Sequence, residues 1–79
     1  MARKNCTIRL TSRKLHYEYS LTTDQLEEFL NDNLDFIIAH ECDEPQTMLR
    51  ITSVKEGIII NNSITQTCYD KLTKILNDM

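Results

Sequence analysis

The residues with the most evident capacity for chemistry form a short group in mid-chain, His40, Cys42 and Asp43. A metal site needs three or four ligands in a workable geometry, and no second pair of ligands completes this group. Cys42 is also a poor nucleophile, since the nearby Glu41 and Glu44, like Asp43, oppose formation of a thiolate. We therefore expect this segment to be a loop that binds no metal.

Other catalytic arrangements are not indicated. A single Gly cannot build a glycine-rich phosphate loop. The most closely grouped carboxylates are Glu27, Glu28, Asp32 and Asp35. They are predicted to lie on a convex helix surface, whereas acid–base catalysis needs a cleft that makes two carboxyl environments unequal. The sequence predicts a protein that is not an enzyme and uses no cofactor.

Charge is distributed unevenly along the chain. Residues 1–14 carry a formal charge of +5, residues 15–49 carry −9 and residues 50–79 carry +1, for a net charge of −3. The central region holds nine carboxylates and no Lys or Arg: Glu18, Asp24, Glu27, Glu28, Asp32, Asp35, Glu41, Asp43 and Glu44. Soluble helices ordinarily contain both acidic and basic residues and gain stability from i,i+4 ion pairs. The absence of Lys and Arg from this region therefore favours a surface that binds a basic partner. The alternative is a solvated surface that keeps a small protein soluble.

Length and composition set the class of protein. The 79 residues, 41% of them hydrophobic, are enough for one small domain spanning 1–79. The chain has three cysteines, Cys6, Cys42 and Cys68, and no CxxC pair. This pattern does not suggest a secreted disulfide scaffold, so we expect a reducing, cytoplasmic setting. No apolar run is long enough for a signal peptide or a membrane span.

Hydrophobic periodicity predicts the first hairpin and helix. Alternation over Cys6–Thr11 and Leu15–Leu21 indicates two paired strands. Thr22 and Gln25 form a capping box, which predicts a single helix from about Thr23 to His40. Its predicted core stripe is Leu26, Phe29, Leu30, Leu34, Ile37 and Ile38. A buried strand over residues 36–39 is the alternative.

The last third of the chain resembles the first at a separation of 41 residues. Residues 8–14 align with residues 49–55, and the cap Thr22 aligns with Ser63. We therefore predict an internal repeat of 7–40 and 48–79, with a fourth strand at Ile58–Ile60 and a second helix over Ser63–Met79. Chance similarity between two strands is the alternative interpretation.

These elements predict an α+β fold of ββα-ββα type, with a four-stranded, antiparallel-rich sheet and two helices on one face. Tyr17 and Tyr19 are expected on the helical side as core residues rather than as platforms for stacking bases. Arg9 and Arg50 occupy equivalent repeat positions on the other, open face. That face is predicted to carry Thr7, Arg9, Thr11, His16, Glu18, Ser20, Arg50 and Thr52.

The favoured hypothesis for function is an inhibitor or adaptor that presents an acidic, nucleic-acid-mimicking surface to a basic groove of a protein partner. Its predicted binding residues are Asp24, Glu27, Glu28, Asp32, Asp35, Glu41, Asp43 and Glu44. Small acidic proteins without enzymatic motifs are common among phage-encoded inhibitors, which include anti-CRISPR and anti-restriction proteins. This is an analogy of composition to a class and not a resemblance to a family.

Two alternatives belong to other classes. A nucleic-acid-binding module would use Arg9, Arg13, Lys14, Arg50 and Lys55, although a net charge of −3 counts against it. A homo-oligomeric assembly element would instead pair the isoleucine-rich fourth strand with another copy, if that strand lies at an edge of the sheet.

Overall fold

The computed structural model describes residues 3–43 and 46–79. In chain order the elements are β1 (Cys6–Thr11), β2 (His16–Leu21), α1 (Thr23–Ala39), β3 (Met48–Ser53), β4 (Gly57–Ser63) and α2 (Gln66–Asn77). The strands form one antiparallel sheet in the order β2-β1-β3-β4. The predicted α+β class, with four strands in one sheet and two helices, is confirmed. β2 and β4 are the edge strands.

The core lies on one side of the two central strands. Ile8 and Leu10 of β1 lie opposite Ile51 and Leu49 of β3, and all four side chains are fully buried. They pack in one apolar cluster with residues from both helices, so α1 and α2 cover the same face of the sheet. No helix or strand within residues 3–43 and 46–79 covers the opposite face.

Helix α1 begins as the sequence predicts. The Gln25 N–H donates to Thr22 Oγ1 at 3.1 Å, and the Thr22 N–H donates to Gln25 Oε1 at 2.9 Å. The helix runs without a break to Ala39, with His40 as its C-cap, so residues 36–39 are helical and not a strand. Within the described chain, neither helix has the combination of length and hydrophobicity that crossing a membrane requires.

The core stripe of α1 is narrower than predicted. Leu34 and Ile38 are 40% and 55% exposed, whereas Asn33 is buried and donates from Nδ2 to the Phe29 carbonyl at 2.9 Å. The buried positions are 26, 29, 33 and 37. A helix on one face of a sheet buries only the arc that faces the strands. Leu34 and Ile38 each follow a buried residue by one position, which turns their side chains out of this arc and into solvent.

Helix α2 starts later than predicted. Its N-cap is Thr65, whose Oγ1 accepts from the Cys68 N–H at 3.2 Å, and the predicted cap at Ser63 is wrong because Ser63 is the last residue of β4. The first hairpin pairs Leu10 with Tyr17, while the second pairs Ile51 with Ile60 and contains a register shift. The second hairpin is therefore longer by two residues, and the caps are 43 residues apart rather than 41.

The position of this cap can be tested by substitution. Thr65→Ala should lower the free energy of unfolding by about 0.5–2 kcal/mol, because the Cys68 N–H loses its acceptor. Ser63→Ala, two residues earlier, is the matched control and should change it by less than about 0.5 kcal/mol. Urea denaturation followed by circular dichroism measures both. A larger loss for Ser63→Ala would contradict the start of α2 described here.

Candidate binding surfaces

The uncovered sheet face is centred on two arginines. Arg9 of β1 and Arg50 of β3 are direct cross-strand partners, and with Thr7 and Thr52 they line a shallow depression. The residues predicted for this face occupy it in register, since Thr7 pairs with both Ser20 and Thr52, and Thr11 pairs with His16 and Met48. We call this surface the sheet face, and its centre the arginine pair.

The arginine pair has an unusual electrostatic environment. Like charges directly opposite one another across two strands are destabilising. The Arg9 guanidinium lies 3.4 Å from Glu18 Oε2, and His16 Nε2 lies 3.8 Å from the same oxygen. Arg50 forms no ion pair with any residue in 3–43 or 46–79. One carboxylate is thus paired with one of two arginines, and the centre of the sheet face keeps an excess of positive charge.

A second charged surface lies on the outer side of α1. It consists of five exposed carboxylates, which we call the acidic surface: Asp24, Glu27, Glu28, Asp32 and Asp35. None of them forms an ion pair with another described residue. The structure therefore brings the helical part of the predicted acidic site together on one face, directed away from the sheet.

The remaining predicted acidic residues follow α1 in the chain. Glu41 makes an isolated bridge with Ile64 and accepts from Asn62 Nδ2 at 2.8 Å, so it helps to join the end of α1 to the end of β4. Asp43 is exposed. Glu44 lies outside the described residues. Glu41 thus has a structural contact that the helix carboxylates lack.

Apolar side chains border the acidic surface. Leu34 and Ile38 are exposed, and at 3.6 residues per turn each lies about 20° from Glu27 around the helix. The sequence pattern assigned both to the core, so this part of the surface was missed. Protein interfaces commonly combine an apolar centre with a polar rim, and these two residues supply such a component.

The mid-chain group of His40, Cys42 and Asp43 has a structural explanation. The His40 ring stacks on Phe36 at 4.0 Å, and its Nδ1 lies 2.8 Å from the Phe36 carbonyl oxygen. The Cys42 N–H donates to the Ser63 carbonyl at 3.1 Å. Among the residues that the structure describes, no three His, Cys, Asp or Glu side chains are grouped as metal ligands.

Tyrosines and cysteines contribute to packing on the helical side of the sheet. Tyr17 stacks on Tyr19 with ring centroids 6.3 Å apart and lies against Tyr69 of α2. Tyr19 is half-buried against the core, whereas Tyr17 is 37% exposed, so the prediction of core tyrosines holds for Tyr19 and is wrong for Tyr17. The Tyr19 hydroxyl donates to Asn77 Oδ1 at 2.9 Å. Burial raises the pKa of the Cys68 thiol to about 11, so this cysteine is a neutral core residue at neutral pH.

Comparison with known proteins gives no match, either to a family model, to a curated protein or to a solved structure. Function must therefore be argued from the two charged surfaces themselves.

Substitution of two adjacent isoleucines tests which side of α1 is exposed to solvent. Ile37→Ala should lower the free energy of unfolding by about 2–5 kcal/mol, because its side chain is 1% exposed and truncation leaves a cavity. Ile38→Ala makes the same chemical change one position along and should cost less than about 1 kcal/mol, since that side chain is largely in solvent. Guanidinium denaturation midpoints compare the two. Equal losses would mean that Ile38 is buried and that the surface beside the carboxylates is not free.

Proposed function

We propose that the protein is a small, non-enzymatic binding module, an inhibitor or adaptor that presents the acidic surface of α1 to a basic groove of another protein. The observation that carries this proposal is the row of exposed carboxylates without an ion-pair partner in the described chain. A helix that only needed to be soluble would gain stability by alternating acids with Lys or Arg at i,i+4. α1 contains no Lys or Arg at all.

The spacing of these carboxylates suits a polycationic groove. Asp24, Glu28 and Asp32 follow one another at intervals of four residues, which is about 6 Å of rise along the helix axis. Negative charges repeated at this scale on a rigid rod imitate the regular charge of a nucleic-acid backbone. A partner whose groove normally holds nucleic acid therefore fits the surface best.

Charge and apolar contacts would contribute differently to binding. Exposed carboxylates steer the encounter with a basic partner and accelerate association, and this attraction weakens with salt because the Debye length is only about 8 Å at physiological ionic strength. Leu34 and Ile38 add apolar area, which stabilises a complex by roughly 25 cal/mol per Å² removed from water. The carboxylates would thus set partner choice and the apolar pair would prolong the complex.

The biological class follows by analogy alone. Small acidic proteins of this type occur among phage-encoded inhibitors, such as anti-CRISPR and anti-restriction proteins, which act on nucleic-acid-binding machinery. We extend the same role to this chain as part of the proposal. The three free cysteines suit action in a reducing, cytoplasmic compartment.

Charge reversal tests the proposal. The variant with Glu28→Lys, Asp32→Lys and Asp35→Lys keeps the fold, since all three side chains are exposed, and should lose its protein partner. The matched control carries Glu56→Lys, Asp70→Lys and Asp78→Lys, which makes the same change in net charge away from the outer side of α1. Each protein is immobilised and exposed to lysate of its source cell, and retained proteins are quantified by mass spectrometry at low and high salt.

The expected result is a basic protein that is retained by the wild type and by the control, is lost from the α1 variant, and is released by salt. Equal retention by all three proteins, or equal loss from both variants, would contradict the proposal. The surface would then serve solubility alone.

A further inference from the structure

A second binding surface lies on the side of the molecule that the proposed function does not use. The arginine pair stands at the centre of the sheet face, where strand pairing sets the two residues opposite each other and both line one depression. Proteins usually avoid this arrangement because like charges opposite each other cost stability. Glu18 offsets only part of it, because it supplies one carboxylate for two arginines and lies within ion-pair distance of Arg9 alone.

Other cations lie at the two ends of β1 and β3. Arg13 and Lys14 form the turn after β1, at one end of the central strands. At the other end, the Val54 N–H donates to the Asn5 carbonyl at 2.9 Å, which brings the β3–β4 turn with Lys55 beside the N-terminal segment. Seven of the nine Lys and Arg residues therefore lie along the central strands or at their ends: Arg3, Lys4, Arg9, Arg13, Lys14, Arg50 and Lys55.

We propose that the sheet face binds the phosphodiester backbone of a nucleic acid, with the arginine pair as its central contact. Guanidinium groups donate paired hydrogen bonds to phosphate oxygens, and the hydroxyls of Thr7 and Thr52 border the same depression as additional donors. Cations at the centre and at both ends of two extended strands suit an extended backbone with repeated phosphates. A single small anion would contact only the central arginine pair.

The side chains around the pair indicate how the nucleic acid is bound. The neighbours of Arg9 and Arg50 on this face are Thr, Ser, His, Met, Glu and Asn, with the exposed Ile58 opposite Thr52, and the tyrosines of β2 lie on the helical side. Without aromatic platforms, bases are not held by stacking, so contacts are made to phosphates and carry no base sequence.

The overall negative charge does not prevent this binding. The acidic surface lies on the outer side of α1, so the body of that helix and the sheet itself separate it from the sheet face. Charges separated by more than a Debye length of about 8 Å are largely screened at physiological ionic strength. A phosphate backbone that approaches the sheet face therefore meets the local positive potential rather than the net charge of −3.

Fluorescence anisotropy with a labelled oligothymidine and with a labelled duplex of equal length tests the proposal. Arg50→Gln should weaken binding by about threefold or more and lower the slope of log affinity against log salt by about 0.7–0.9, the loss of one phosphate contact. Lys74→Gln on α2 is the matched control and should leave both quantities unchanged. The oligonucleotide that binds more tightly identifies whether a single strand or a duplex is the natural form.

A variant that binds nucleic acid more tightly than the wild type provides a second test, because misfolding would weaken binding. Glu18→Gln removes the carboxylate beside Arg9 and should tighten binding by about twofold or more. Glu27→Gln, the same substitution on α1, should have no such effect. The inference is overturned if the wild type binds neither oligonucleotide, if Lys74→Gln weakens binding as much as Arg50→Gln, or if an oligoglutamate peptide binds in place of the nucleic acids. These results are independent of the acidic surface, whose test uses other residues and another ligand.

Discussion

The antiparallel pairing of β1 with β3 is the constraint on which the rest of the molecule depends. It sets Ile8 against Ile51 and Leu10 against Leu49 in the core. Because side chains alternate across a strand, the same register directs Arg9 and Arg50 to the opposite face, where they are cross-strand partners. A slip of one residue would exchange buried isoleucines for arginines, so burial of the core fixes the position of the arginine pair.

The same register accounts for the separation of charge. Both helices pack on the apolar face of the sheet, and α1 can bury only one arc of its circumference. Its carboxylates therefore lie on the side furthest from the strands, while cations of β1, β3 and their turns lie on or beside the sheet. A chain with a modest net charge thus has two surfaces of opposite sign, and each can attract a different class of partner.

Local patterns predicted most of the fold. Thr22 and Gln25 satisfy each other within one turn of helix, and the alternation in β1 and β3 depends only on neighbours along the chain, so both were predictable. The cap of α2 was predicted at the wrong residue because the second hairpin is longer than the first and the pairing of β3 with β4 is irregular. The start of α2 therefore lies two residues later than an exact repeat of the first hairpin would place it. Leu34 and Ile38 were predicted to be core residues because the width of the apolar arc of α1 does not show how much of that arc the sheet covers. The sequence showed Arg9 and Arg50 to be equivalent, but their pairing across strands follows only from the order and register of the strands.

The central claim is that two faces of one small domain have opposite electrostatic potential. Paramagnetic relaxation of backbone and side-chain protons by a cationic and an anionic nitroxide probe, compared residue by residue, measures this local potential in solution. We expect the cationic probe to accumulate near residues 24–35 of α1 and the anionic probe near Thr7, Arg9, Arg50 and Thr52. A uniformly negative potential over both faces, as a net charge of −3 spread evenly would give, would contradict it.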